Sequence, residues 1–175
     1  HWVNEKSKLK CKSKIDKNRL NAEDAWKRFS KKNKLGINIL RLGAIYGPLR
    51  INSFRNGERK ILVKKNHYFS RIHVYDISRI ITKILMNGFS REVWNLVDEE
   101  PCTRENYLME IIYLKNIKTY YKVKYSDEKV NMEKSQKKYW ENNKRVSNFK
   151  IKKELDFIYI FPTYRQGLKS LSSEL

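Results

Sequence analysis

From Asn18 to Leu114 two hydrophobic periods take turns along the chain, and this alternation restricts the available folds more than any other feature of the sequence. Leu20, Ala22, Ala25, Trp26 and Phe29 recur at helical spacing. Glu23 and Asp24 stand four residues ahead of Lys27 and Arg28, and Gly36 lies just beyond, so the pattern predicts an amphipathic helix over 18–33. Ile37, Ile39, Leu40 and Leu42 then predict a buried strand ending in a turn at Gly43-Ala44-Ile45-Tyr46-Gly47-Pro48. Ile72 and Val74 alternate with His73. Beyond them Asp76 reads as the N-cap, and Gly88 as the stop, of a helix carrying Ile77, Ile80, Ile81, Ile84 and Leu85. Val93 to Val97 forms a second β-prone run, closed by the acidic turn Asp98-Glu99-Glu100-Pro101. Thr103 caps a third helix to about Leu114, with Leu108, Ile111 and Ile112 as its stripe. Helix, strand, helix, strand, helix is the order of an α/β layer with parallel strands.

Outside this stretch the signals are local. Lys6, Lys8, Lys10, Lys12 and Lys14 alternate without an apolar counterpart, which predicts a solvated loop or exposed edge. Residues 49–68 are basic and weakly patterned, with one strand predicted at Ile61 to Val63. Tyr120, Tyr121, Val123 and Tyr125 suggest a further strand, and 127–143 reads as a polar, partly mobile stretch. Ser147 is placed as the cap of a short helix through Leu155. Thr163 is placed as the cap of a last one carrying Tyr164, Leu168 and Leu171. These later elements read as a small satellite subdomain.

The charge of +20 over 175 residues raises nucleic acid as a partner. Lysine nevertheless outnumbers arginine by 27 to 12 and only 3 alanines occur. Arginine is the residue of bidentate phosphate and guanine contacts. That balance favours compositional drift on solvated faces over nucleic-acid binding. Apolar runs fall far short of the ~20 residues of a membrane span, which argues for a cytoplasmic protein without a membrane partner. Cys11 and Cys102 are too far apart for a metal knuckle, and 3 histidines form no zinc cluster or Ser-His-Asp constellation. The 6 glycines sit singly, so neither a Walker loop nor a G-x-G-x-x-G opens a helix.

Several strings resemble the extended short-chain dehydrogenase/reductase superfamily, the NAD(P)-dependent epimerases and dehydratases of nucleotide sugars. Arg41-Leu-Gly-Ala-Ile-Tyr-Gly-Pro48 resembles its R-x-x-x-x-Y-G-P segment. Phe69-Ser-Arg-Ile-His-Val-Tyr-Asp76 resembles F-I-H-V-x-D, and Val93 to Pro101 resembles Y-N-V-x-x-x-x-P. Asn143 to Asn148, Lys152 to Leu155 and Phe161 to Leu168 are similar to the tail of an atypical branch. The resemblance implies a partial NAD(P)-binding Rossmann-type parallel sheet with a small α+β substrate-side subdomain. The first would comprise 1–48 and 73–98, the second 49–72 and 99–175. It also implies that the chain is the carboxyl-terminal portion of a longer fold whose other half carries the glycine-rich phosphate loop.

The implied ligands are a dinucleotide, NAD or NADP, and a small-molecule substrate with a carbonyl or hydroxyl group, with a homodimer as the assembly considered. The resemblance assigns Arg19, Leu42 and Gly43 to the cofactor, and Ala44, Ser70, Arg71 and His73 to the substrate side. The family's catalytic tyrosine and lysine slots hold Ile15 and Arg19 here. An aliphatic Ile15 does no proton chemistry, so the catalytic residues are left unassigned. Three readings stay open: an NAD(P)-binding oxidoreductase or epimerase-like protein, a non-catalytic dinucleotide-binding regulator, and a basic RNA-binding protein with Tyr120, Tyr121 and Tyr125 as stacking groups. Taken without the resemblance, Asp76 reads as a cap and His73 as a structural histidine.

Overall fold

The computed structural model describes residues 1–11, 13–51 and 59–171; Lys12 of the alternating lysines, part of the segment 49–68 and residues 172–175 lie outside them. In chain order the strands and helices are β1 (Trp2–Val3), α1 (Lys14–Asn33), β2 (Ile39–Leu42), β3 (Ala44–Tyr46), β4 (Lys60–Val63), β5 (Arg71–His73), α2 (Val74–Met86), β6 (Val93–Leu96), α3 (Arg104–Leu114), β7 (Tyr121–Lys124), α4 (Tyr125–Glu128), α5 (Lys134–Tyr139), β8 (Arg145–Val146), α6 (Phe149–Leu155) and α7 (Tyr164–Ser170). The strands pair as β1·β8, β2·β6, β3·β5 and β4·β7, every pair parallel. Ile39 to Leu42 runs in register beside Val93 to Leu96, as the α/β alternation requires.

Two cores flank this layer. One gathers Ile72, Ile80, Ile84, Trp94, Leu96, Ile151, Leu155, Phe157 and Tyr159, so α2 and α6 cover one side of β5 and β6. The other gathers Tyr46, Ile61, Tyr107, Leu108, Ile111, Tyr164 and Leu168, so α3 and α7 cover the opposite side. Each fully buried isoleucine or leucine contributes about 1.5–3 kcal/mol of transfer free energy. α6 and Phe157 therefore pack on β6 and α2, whereas α7 packs with α3.

Several local expectations are corrected by longer-range competition. α1 begins four residues before the predicted start, because Ser13 and Asp16 form a reciprocal capping box. It ends at Lys34 in the left-handed conformation, ahead of Gly36. Glu23 pairs with Arg41 of β2, and Lys27 meets Asp24 at i,i+3. The strand from Ile37 does not end in a turn at Gly43, since β3 continues it to Tyr46. It is not fully buried either: Leu42 is 43% exposed. His73, not Asp76, caps α2, its ring nitrogen accepting from the Tyr75 N–H. Asn148 holds the cap position assigned to Ser147. Tyr125 starts α4, and the polar stretch 127–143 is folded around buried Trp140.

Asp76 is diverted from capping because the chain's later half needs it. Its carboxylate is wholly buried and accepts from the Ile160 and Phe161 N–H groups at 3.0 Å each, and from Arg79 at 3.1 Å. Replacing it leaves two backbone donors without an acceptor. Asp76→Ala is therefore expected to cost on the order of 3 kcal/mol in chemical denaturation. A loss under about 1 kcal/mol would show that the 160–161 segment is held by other contacts.

Candidate functional site

Gly43 is the point at which one strand changes partners. The N–H of Gly43 donates to Leu96 of β6 at 3.0 Å, and the next N–H, of Ala44, donates to Ser70 at 2.9 Å, just ahead of β5. The Asp98 N–H closes the junction on the Arg71 carbonyl. Three segments thus converge at the carboxyl ends of β2 and β6, the edge at which open parallel sheets hold ligands. Leu42 and Ala44 are exposed there. Gly43 itself is required by protein packing: a Cβ would sit 2.7 Å from the Ser70 carbonyl oxygen and 3.0 Å from a Val97 methyl.

The register then sorts the side chains. Ala44 lies beside Arg71, Ile45 beside Ile72, and Tyr46 beside His73. Alternation puts Ala44, Tyr46, Arg71 and His73 on one face of β3·β5, and Ile45 and Ile72 on the other. On the first face only Ala44 is exposed; Arg71 keeps 4% of its surface and His73 3%. Arg71 Nη1 donates to Phe69 O at 3.2 Å, Cys102 O at 3.4 Å and Cys102 Sγ at 2.9 Å, and its guanidinium lies 4.2 Å from the centroid of the Tyr107 ring. Among the described residues Arg71 forms no ion pair.

The neighbouring groups are held neutral by burial. Burial pushes the Cys102 thiol and the Tyr107 hydroxyl each up to about 12, with Arg71 pulling both the other way. The Tyr46 and Tyr164 hydroxyls are raised for the same reason. Asp98 is 1% exposed at the end of β6; burial pushes its carboxyl well above the usual carboxylate range, against the pull of Arg71. Its Oδ1 accepts from the Glu100 N–H, and its Oδ2 has no partner among the described residues. His73 Nδ1 accepts from Tyr75, so the neutral ring carries its proton on Nε2, which has no partner among the described residues. Tyr46 and Phe161 close around that ring, at 5.2 and 4.1 Å between centroids.

The residues named from sequence divide into two groups. Ala44, Arg71 and His73 share the face just described, while Leu42 and Gly43 form its rim. Ser70 turns its hydroxyl to the Val146 N–H of β8 at 3.0 Å. Ile15 and Arg19 stand one turn apart on the exposed side of α1, Ile15 at 53% exposure. Tyr107, Cys102 and Asp98 were not foreseen as neighbours of Arg71. Only Asp98, the first acid after a strand, carried a local signal. Among the described residues no group of three or more His, Cys, Asp or Glu is placed to hold a metal ion, and no helix is long and apolar enough to cross a membrane.

No protein-family model matches the chain, and no curated protein matches it. Solved structures do. A functionally unknown conserved protein from Silicibacter pomeroyi is 28% identical, with a TM-score of 0.88 over 99% of this chain and 60% of that one. The dTDP-glucose 4,6-dehydratase of Bacillus anthracis, solved in complex with NAD, is 18% identical with a TM-score of 0.77, over 99% of this chain and 55% of that one. The human epimerase family protein SDR39U1, solved with NADPH, is 16% identical with a TM-score of 0.75, over 100% and 60%. The fold is thus α/β with short parallel strand pairs, matching Rossmann-like NAD(P)-binding structures, and the chain spans 55–60% of the length of these three.

Two measurements probe the junction and its surroundings. Gly43→Ala forces a Cβ into backbone, and an overpacking loss of about 1–3 kcal/mol is expected in denaturant melts; an unchanged midpoint would mean the three strand ends are not held this closely. Burial also holds the His67 and His73 imidazoles below their ordinary range. Such groups take up protons more readily when unfolded, so their contribution to stability is complete above about pH 6.5 and is lost as pH falls through the lowered values, by at most about 1.4 kcal/mol per pH unit for each ring. Asp98 acts in the opposite sense, so the comparison is with a His67→Gln, His73→Asn variant. The difference between the two stability profiles should shrink as pH drops from 7.5 to 5, and a constant difference would exclude the histidines as its source.

Proposed function

We propose that this chain is the carboxyl-terminal part of a dinucleotide-binding protein of the epimerase/dehydratase-like class, acting on a nucleotide sugar or related carbonyl or hydroxyl compound. The observation that carries the reading is the open edge at Leu42 and Ala44, where the parallel strands end and the chain switches partners at Gly43. A flat ring fits there against backbone, and Arg19 adds a fixed cation on the exposed side of α1. Residues 1–48 and 73–98 would form the dinucleotide side, and 49–72 with 99–175 the substrate side, carrying Ser70 and Arg71, while Ala44 and His73 face the substrate across the boundary. A segment outside these residues would cradle the phosphates, since the 6 glycines form no phosphate loop. NAD or NADP would supply hydride transfer, and the protein orientation.

A second reading has its own support. Ile15 and Arg19 are exposed in the slots where the resembling enzymes carry a tyrosine and a lysine, and neither side chain transfers a proton near neutral pH. That arrangement suits a protein that binds a dinucleotide without turning it over. The test titrates the chain, together with any coding sequence that adjoins it, with NADH and NADPH. Binding is expected, and Ala44→Trp, which covers the strand end, should weaken it at least about tenfold. Failure to bind either dinucleotide would overturn both readings, and turnover on a carbonyl and sugar panel would separate them.

A further inference from the structure

Arg71 is a buried cation whose hydrogen-bond partners among the described residues are all uncharged. Its three hydrogen bonds go to two carbonyl oxygens and a thiol, all through Nη1. Nε and Nη2 have no acceptor among the described residues, and neither is among the polar atoms sealed from solvent. Two positions along β5, on the same face, His73 presents its Nε2–H, buried and equally without an acceptor. Hydroxyls and a thiol surround the pair, and burial keeps each of them protonated. The one carboxyl that Arg71 acts on, Asp98, is pushed toward its neutral form by burial and forms no ion pair with it among the described residues; a buried charge so weakly compensated costs several kcal/mol, and a buried donor without an acceptor costs more again. Both costs are offset by the same kind of guest, one that is negatively charged and rich in acceptors.

Access is given by the neighbour across the ladder. Ala44 faces Arg71 in register and is exposed, so the smallest side chain that still holds strand geometry stands at the mouth of this face. A longer residue would cover the guanidinium.

We propose that the Arg71 and His73 face of β3·β5 receives an oxyanion, the phosphate or carboxylate group of the substrate. Arg71 supplies the charge and His73 Nε2–H a directed hydrogen bond. This deepens the function proposed above and rests on its placement of the substrate on this side of the sheet. Arginine suits the task because its planar fork matches both oxyanions and stays charged when buried.

The test uses thermal unfolding of the chain in inorganic phosphate, in acetate and in chloride at matched ionic strength, which equalises the screening of a +20 protein; general salt stabilisation acts equally on the Ala44→Glu variant, so every increment below is counted relative to that variant in the same salt. At saturating concentration, phosphate or acetate is expected to raise the midpoint above chloride by about 2–4 °C, and the larger of the two increments names the group recognised. Ala44→Glu places a carboxylate directly opposite Arg71, at an exposed position that does not threaten folding. It should raise the midpoint in chloride and show only the general salt effect of the added anion. Arg71→Gln, where it folds, should abolish the increment without the gain in chloride. Equal midpoints in all three salts, or a rise no larger than that of Ala44→Glu, would overturn the proposal. No dinucleotide is present in these melts, so a negative result leaves the NADH titration standing, and a failed titration does not alter the salt comparison.

Discussion

The site depends on a steric constraint at one residue. Because Gly43 has no Cβ, the backbone at the end of β2 comes close enough to Ser70 for the chain to leave β6 and pair with β5 without a break. Shifting it outward by a few tenths of an ångström would lengthen the Ala44 N–H bond to Ser70, and with it the register that sets Ala44 beside Arg71 and Tyr46 beside His73. A one-residue slip in a strand reverses its faces. Arg71 would then turn to the side where Ile72, Trp94 and Leu96 form a dry core. The polar face and the apolar core are therefore two results of one close approach.

A second tie links this layer to the long helix. Arg41 and Glu23 form a bidentate pair at 3.0 and 2.6 Å, each side chain about one-fifth exposed. The hydrogen bonds from Arg41 hold the Glu23 carboxyl below its ordinary value. Exposed ion pairs contribute little, but a half-buried fork of this geometry belongs to the stronger class. It has to be strong, because α1 buries little else: Ser30 is its one buried residue among those described, while Trp26 and Phe29 stand 58% and 49% exposed in an edge-to-face pair. The apolar stripe that made the helix legible is thus not what attaches it.

This explains which features could be read from the sequence. Periodicity located β6, α2, α3 and α7 because each buries a face whose pattern is complete within the element. Caps formed from neighbouring residues, at Thr103 and Thr163, were equally legible. Expectations failed where a side chain serves a distant partner. Glu23 is taken by Arg41, 18 residues away, and Asp76 by backbone at 160 and 161, which leaves the α2 cap to His73. Local spacing offers Arg71 only a surface or a ligand. Its place between Cys102 and Tyr107 follows from β5 running beside β3 and from α3 folding across them, and no short window contains that information.

The same face bears on what chemistry is available. A group that moves protons near neutrality needs a pKa close to the working pH and a free lone pair or proton directed at the substrate. Burial moves the Tyr46, Tyr107 and Tyr164 hydroxyls away from neutrality, and it holds the Cys102 thiol at about 12. His73 is held below its ordinary range, and the lone pair it would use is engaged in capping α2. Asp98 is raised in the useful direction, but it sits at the strand junction with 1% of its surface exposed. The described residues on this face therefore supply charge and hydrogen-bond donors in fixed positions rather than groups that titrate near neutrality. Among the groups named on this face and at its junction, only Asp98 is shifted toward neutrality.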